Sequence, residues 1–336
     1  AAVAAVSAAA ALRIDDGTTA AVAFADDAAV PPVPAPATFG ASWSAVDGLN
    51  KAANSDFVTF DPSAYRAMRD DPSRTPLFRE ALIRRLKSAP GGPESCTVLD
   101  LGTGPFALFA IIAAESGAGR VYAIEADGDA ARNARDTIRK AGYDDVITVL
   151  EGFSTDVSLP NNEKVDVVVA EIVGSIASEE GAYATILDAH SRFVKKPDDP
   201  ASWIPNRIQT YASPASYTLH NMFGPPEFDW TKLGGEPVRF NCRDEGLQLL
   251  SNPALVEDIS FADISEGDAK RERNLELNFV VDPDRIQENE SRFYDNFRSS
   301  RLSKGEAAKL AGETARSLTG VAFWPRLVLD KEGEIV

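Results

Sequence analysis

Apolar positions recur at helical spacing between Ala64 and Lys87, at Tyr65, Met68, Leu77, Ala81, Leu82 and Leu86, with Pro72 and Pro76 interrupting the run. Proline removes a backbone donor and its ring clashes with the preceding turn, so the pattern predicts two helices with a break between them. A turn follows at Pro90, Gly91, Gly92 and Pro93, and beyond it the period shortens. Strands are predicted at Thr97–Leu101, Arg120–Glu125, 146–150 and 165–170, with helices at 107–116 and Gly128–Ala141. The last of these strands is almost wholly apolar, which implies burial on both faces. Strands alternating with helices in this way predict an α/β fold with a parallel, doubly wound sheet.

Past Trp203 the pattern changes to short β-prone pieces, at 207–212, Val238–Asn241, 275–281 and 318–328, separated by proline, glycine and charge. These predict a β-rich second domain. A polar helical stretch at 284–316 reads as a solvated insertion. The expected organisation is an Ala/Pro-rich extension at 1–56, a sheet domain with its N-terminal helices at 57–202, and the β-rich domain at 203–336. Within the extension, Val30-Pro31-Pro32-Val33-Pro34-Ala35-Pro36 reads as extended linker, and Ala23-Phe24-Ala25 resembles a small-residue processing site. The longest apolar run, Ala1 to Leu12, falls short of the roughly 18 residues that cross a bilayer, so no membrane span is expected.

Composition narrows the chemistry. The 336-residue chain carries 34 basic and 51 acidic side chains, a formal charge of −17. Such a surface repels a phosphate backbone and favours a cationic partner, so no direct nucleic-acid binding is expected. Two cysteines, Cys96 and Cys242, and two histidines, His190 and His220, exclude a disulfide scaffold and a cysteine-rich zinc site, and no metal site is expected. Catalysis then falls to carboxylates or to a cofactor.

Two motifs carry that chemistry. In Val98-Leu99-Asp100-Leu101-Gly102-Thr103-Gly104 a buried strand runs into a glycine turn and a helix, where backbone N–H groups can approach a ligand closely. About twenty residues on, Glu125 closes the next strand, placed to accept both ribose hydroxyls of a nucleoside cofactor. A plain strand-to-helix turn and a solvated strand-end acid account for each feature taken singly. Pro105, Phe106 and Ala107 follow Gly104 where a dinucleotide turn has its third glycine, and a bulky Phe106 opposes a pyrophosphate. S-adenosyl-L-methionine, which has no phosphate, fits better. The second motif is Ala170-Glu171-Ile172-Val173-Gly174-Ser175-Ile176-Ala177-Ser178-Glu179-Glu180. Glu171 ends a buried strand, and the Gly174-Ser175 loop permits Glu180 to return opposite it. Two carboxylates facing one cavity repel unless a proton, a hydrogen-bond donor or a cation joins them, and a planar guanidinium suits the pair. Two ordinary loop acids are the plainer reading of this segment alone.

Together these stretches resemble the protein arginine N-methyltransferase family. Glu171 and Glu180 stand at the separation of its double-glutamate loop. Gly174-Ser175 is similar to the symmetric-dimethylating branch, and Glu180-Gly181-Ala182 with His190 downstream to the monomethylating branch. Ser154-Thr155-Asp156-Val157 and Tyr65-x-x-Met68-x-x-Asp71-x-x-Arg74 match family segments in order and spacing. The resemblance covers roughly residues 57–207 well and the remainder more loosely. It implies a Rossmann-like methyltransferase domain followed by a β-barrel-like domain, with methyl transfer from S-adenosyl-L-methionine to the arginine guanidinium of a protein. It implies catalytic roles for Glu171 and Glu180, and cofactor contacts from Tyr65, Met68, Arg74, Asp100, Gly102, Gly104, Glu125, Ser154 and Thr155. An Arg-rich or basic protein substrate is implied, as is a homodimer or a place in a larger complex through an arm on the barrel; His220 to Leu233 reads either as that arm or as a loop. The family suggests cytoplasm or nucleus, and the Ala-rich start a plastid or other organelle. The family's C-terminal Thr-His-Trp-like loop is not found between Trp324 and Val336: either it lies in sequence not represented here or the pocket is incomplete. An active enzyme, a methyltransferase for another substrate, and an inactive methyltransferase-like binding or structural subunit are therefore the readings to separate.

Overall fold

The computed structural model describes residues 2–6, 62–174, 176–179, 181–218, 238–241, 246–265, 267, 275–299 and 302–336. It divides into two compact units. One comprises 45–209, 257–272 and 325–336; the other comprises 1–44, 210–256 and 273–324. Segments 257–272 and 325–336, which follow the sequence boundary at 203, thus fold with the sheet domain.

The first unit is built on a five-stranded sheet of β2 (Thr97–Leu101), β3 (Arg120–Glu125), β4 (Ile147–Glu151), β5 (Val167–Val169) and β6 (Trp203–Ile204), ordered β4-β3-β2-β5-β6. Its strands pair in parallel: Leu99 faces Tyr122 on one side and Val168 on the other. Parallel strands need helical crossovers, and those helices cover both faces. Alternate residues accordingly enter two separate cores. Val98, Val121, Ala123, Val167 and Val169 pack with α2 (Thr75–Lys87), α3 (Leu108–Glu115) and α4 (Gly128–Ala141), using Phe78, Leu82, Ile112 and Ile138. Leu99, Leu101, Tyr122, Ile124 and Val168 pack with Ile186 of α5 (Ala182–Arg192) and with Trp203 and Phe261. The helix break expected near Pro72 separates α1 (Pro62–Arg69) from α2, while α5 and the short β6 had no separate forecast.

The second unit holds an antiparallel sheet. β1 (Ala2–Val6), from the stretch expected to be an extension, pairs with β8 (Val238–Asn241) and with β11 (Gly320–Val328). β7 (Arg207–Tyr217) pairs with β9 (Leu247–Leu249), and the sheet order is β10-β7-β11-β1-β8 with β10 at Ala254–Ser260. The linker at Val30–Pro36 and the stretch from His220 to Leu233 lie outside the described residues, as do Cys242 and His220.

Two expectations need correction. Segment 275–281 forms no strand; only Val281 bridges, to Ser251, because a run of β-formers needs a partner as well as a propensity. Stretch 284–316 is a pair of packed helices, α6 (Pro283–Ser299) and α7 (Lys304–Ala315), with a core of its own. Ile286, Phe293 and Phe297 recur at helical spacing and meet Ala307, Ala311 and Ala315, small residues that let the helices close together. Ser303 and Glu306 close a capping box that starts α7. Since Phe293 is fully buried, Phe293→Ala should cost about 3–5 kcal/mol in urea unfolding, whereas exposed Ser291→Ala should stay within about 0.5 kcal/mol. A solvated insertion would tolerate both equally.

Candidate functional site

Strand order reverses between β2 and β5, because the chain runs outward through β3 and β4 and then returns to the other side of β2. The carboxyl ends of the two strands at such a reversal diverge and leave a crevice. Gly102 leaves β2 there and Glu171 follows β5 by two residues.

The glycine turn has the backbone that its sequence demands. Gly102 and Gly104 lie at φ 77° and 65°, a region that strains any side chain. A Cβ on Gly102 would sit 3.2 Å from the Ile172 side chain, so the turn and the loop after β5 touch. A Cβ on Gly104 would sit 3.5 Å from the Tyr65 ring. Ala107, at the place of the third glycine, is itself left-handed at φ 44° and fully buried against the sheet. Phe106 takes the Arg69 guanidinium over its ring at 4.8 Å.

Asp100 is buried beneath this turn. Its Oδ2 accepts the Thr103 hydroxyl at 2.5 Å and the Ala110 N–H at 2.9 Å, while its Oδ1 is buried without a partner. Burial pushes the Asp100 carboxyl up to about 7, against the pull of those hydrogen bonds. Glu125 stands at the edge of β3. Its Oε2 accepts the Gly104 N–H at 2.7 Å and its Oε1 the Asp127 N–H at 2.9 Å. A carboxylate offers about four acceptor sites, so each oxygen retains one for a hydroxyl.

Arg74 and Glu171 form the central contact. The guanidinium of Arg74 is joined to Glu171 Oε2, and its Nη1 donates to the Met68 carbonyl at 3.0 Å. The charge lies 5.5 Å from the Phe109 ring centre and 5.9 Å from that of Phe78. Arg74 Nε is buried with no hydrogen-bond partner. Burial raises the Glu171 carboxyl above the usual carboxylate range, and the Arg74 charge and hydrogen bond oppose that rise. A desolvated cation with an idle donor can take a second carboxylate.

The residues singled out from sequence therefore divide as follows. Tyr65, Met68, Arg74, Asp100, Gly102, Gly104, Glu125 and Glu171 lie around the one crevice, linked by the contacts above. Ser154 and Thr155 lie in the turn after β4, tied to it by the Gly152 N–H, which donates to the Glu125 carbonyl at 2.8 Å. Glu180 and Ser175 lie outside the described residues. His190 is a packing residue, stacked on Trp203 with Nε2 3.3 Å from the Ala262 carbonyl. Sequence reasoning missed Ser178, whose hydroxyl donates to Glu257 at 2.6 Å and pins the loop after Glu171. It also missed Asp188 and Arg192, an opposite-charge pair four apart on α5 whose spacing was the available signal. Among the described residues no three His, Cys, Asp or Glu side chains converge as a metal site, and no helix is long and apolar enough to cross a membrane.

Comparison with known proteins points the same way. Residues 84–182 match the family model of ribosomal protein L11 methyltransferase. Over 168 residues the chain is 39% identical to the protein arginine N-methyltransferase PRMT10 of Arabidopsis thaliana, covering 49% of this chain and 42% of that one. Over 136 residues it is 37% identical to an arginine N(omega)-methyltransferase of Streptomyces achromogenes subsp. streptozoticus, covering 40% of this chain and 36% of the relative. The chain thus spans less than half the length of these curated relatives. A solved Trypanosoma brucei PRMT1 enzyme–prozyme heterotetrameric complex with AdoHcy superposes with a TM-score of 0.51 at 22% identity, over 62% of this chain and 65% of that chain. That likeness shows a common fold. The resemblance to protein arginine N-methyltransferases read from the motifs is borne out, while the branch within that family is not distinguished.

Asp100 supplies a test of the site's electrostatics. Its pKa is raised in the folded state from an ordinary 3.8 to about 7, so the native protein holds that proton longer than the unfolded chain does. Its contribution is fully present below about pH 4 and is lost as pH rises toward 7. Asp100→Asn keeps an acceptor oxygen and removes the titration. The wild type should therefore lose stability relative to Asp100→Asn between pH 4 and 7, measured by urea midpoints; parallel curves would contradict the burial argument.

Proposed function

We propose that this protein transfers a methyl group from S-adenosyl-L-methionine to an arginine guanidinium, with an Arg-rich or basic protein as substrate. The observation that carries the reading is the Arg74–Glu171 ion pair at the sheet's reversal point, beside the Gly102 turn. It brings a cation suited to an amino-acid carboxylate and a carboxylate suited to a guanidinium into one crevice. The residues present fit the cofactor: Glu125 retains acceptor sites for ribose hydroxyls, Arg74 has an idle buried Nε, and the glycine turn, whose Gly102, Thr103 and Gly104 N–H groups are bonded to Ile124 and Glu125, brings bare backbone to the crevice without room for added bulk. When bound, the cofactor supplies an electrophilic sulfonium methyl.

The chain's own part is positioning and charge. Arg74 would hold the cofactor's carboxylate, with Tyr65 and Met68 of α1 closing over the turn. Engaging that carboxylate draws Arg74 away from Glu171 and leaves Glu171 to accept N–H bonds from the substrate guanidinium. Glu180 is assigned as its partner in this grip on the strength of the sequence resemblance. Two carboxylates on one side of a guanidinium hold its positive charge there, so the nitrogen on the far side keeps more lone-pair density for attack. As that nitrogen's bond to the methyl forms and the methyl's C–S bond breaks, leaving S-adenosylhomocysteine, its proton passes to solvent. Fixing donor and acceptor in attack geometry can contribute about 7–11 kcal/mol to lowering the barrier. The net charge of −17 favours a cationic substrate. A homodimer or a larger assembly is part of the same proposal, since a family relative is described as a heterotetrameric complex.

The test is transfer of labelled methyl to an Arg/Gly-rich peptide, with free arginine as a second acceptor. Wild-type protein should methylate the peptide. Glu171→Gln and Glu180→Gln should each reduce transfer about 10²–10³-fold. Glu171→Gln should also tighten S-adenosylhomocysteine binding, because Arg74 loses its competitor. Cofactor binding with no transfer to either acceptor would favour an inactive binding subunit, and transfer to free arginine alone would replace the protein substrate.

A further inference from the structure

Arg192 makes more directed contacts than any single role in α5 requires. Its Nε donates to Asp188 Oδ1 at 2.7 Å and its Nη2 to Asp188 Oδ2 at 3.0 Å. Its Nη1 reaches across to the Val157 carbonyl at 3.1 Å, and Nη2 also bonds the Ser154 carbonyl. The guanidinium carbon lies 4.6 Å from the Phe193 ring centre. A planar fork aligned by a carboxylate fixes direction as well as distance, which a lysine cannot do.

The segment so held is the turn that leaves β4. The N–H groups of Asp156 and Val157 both donate to the Phe153 carbonyl at 3.0 Å, so the turn closes on itself. Two of its carbonyls end on Arg192. The turn also adjoins Glu125, since Gly152 N–H bonds the Glu125 carbonyl and Glu125 pairs with Glu151 in the sheet. Any nucleoside whose ribose rests on the Glu125 carboxylate must place its base beside one of the elements flanking that strand end, and this turn is one of them. α5 itself begins at Ala182, immediately after the loop that starts at Glu171.

We infer that Arg192, oriented by Asp188, is a positioning residue that sets the turn at 153–157 as the wall for the base of the bound cofactor. This rests on the cofactor reading proposed above. The arrangement places the base wall and the acidic loop at opposite ends of one short helix.

Calorimetry with two ligands tests it: S-adenosylhomocysteine, and 5′-methylthioadenosine, which keeps base and ribose but lacks the amino-acid end. Arg192→Ala should weaken both by the same factor, about tenfold, equivalent to about 1.4 kcal/mol. Arg74→Ala should weaken S-adenosylhomocysteine alone. Arg192→Lys, which keeps the charge and loses the fork, should weaken both by about threefold and serves if the alanine variant does not fold. A folded Arg192 variant that binds both ligands as tightly as wild type, or loses only S-adenosylhomocysteine, would overturn the inference. Wild-type protein that binds neither ligand would instead overturn the cofactor reading, and this inference with it.

Discussion

Burial of the parallel strands on both faces governs everything else in the sheet unit. Val98, Leu99, Val121, Val167, Val168 and Val169 are all fully buried, so the central strands β2 and β5 can carry no exposed chemistry along their length. Polar groups can enter only where a strand stops and its side chains meet loops. The sheet's reversal between β2 and β5 then selects which strand ends face a crevice. Asp100 marks the limit of this rule, a carboxyl one residue inside β2 that is satisfied on one oxygen and orphaned on the other.

The Arg74–Glu171 pair follows from the same scarcity of water. A buried charge is costly unless paired, and removing one partner of such a pair is more damaging than never having had it. Arg74 comes from the segment joining α1 to α2, and Glu171 from the end of β5, so the pair closes the first helices against the sheet across 97 residues of chain. A site that must exchange partners cannot let either charge stand unpaired between exchanges. Pairing the two with each other meets that requirement: burial raises the Glu171 carboxyl and the Arg74 charge opposes that rise.

Much of the sheet unit was legible because its signals are local. Period, proline breaks and glycine turns set α1, α2 and strands β2 to β5 to within a few residues, and Gly102, Gly104 and Glu125 are brought together by a single strand-helix-strand unit. What sequence could not show depends on distant partners. Arg74 and Glu171 were assigned to different ligands, and nothing in either motif says that they bond each other. Arg192 binds main-chain carbonyls, which leave no side-chain signature at Ser154 or Val157. Polar composition hid the Phe293 and Phe297 stripe of α6, and β-propensity at 275–281 overstated a segment whose pairing depends on a neighbour.

Chain order bears on how the sheet unit is made. Leu329 and Ile335 lie in the same core as Val98 and Ile112, and Phe261 packs with Trp203 on the other face. The unit's hydrophobic seal therefore draws on Leu329 and Ile335, which follow β11, as well as on Phe261, which precedes it. On a ribosome the core that holds Val98 and Ile112 keeps apolar surface uncovered until Leu329 and Ile335 have emerged, and such waiting is when a chain is most exposed to aggregation. A variant cut before Leu329 leaves that core open.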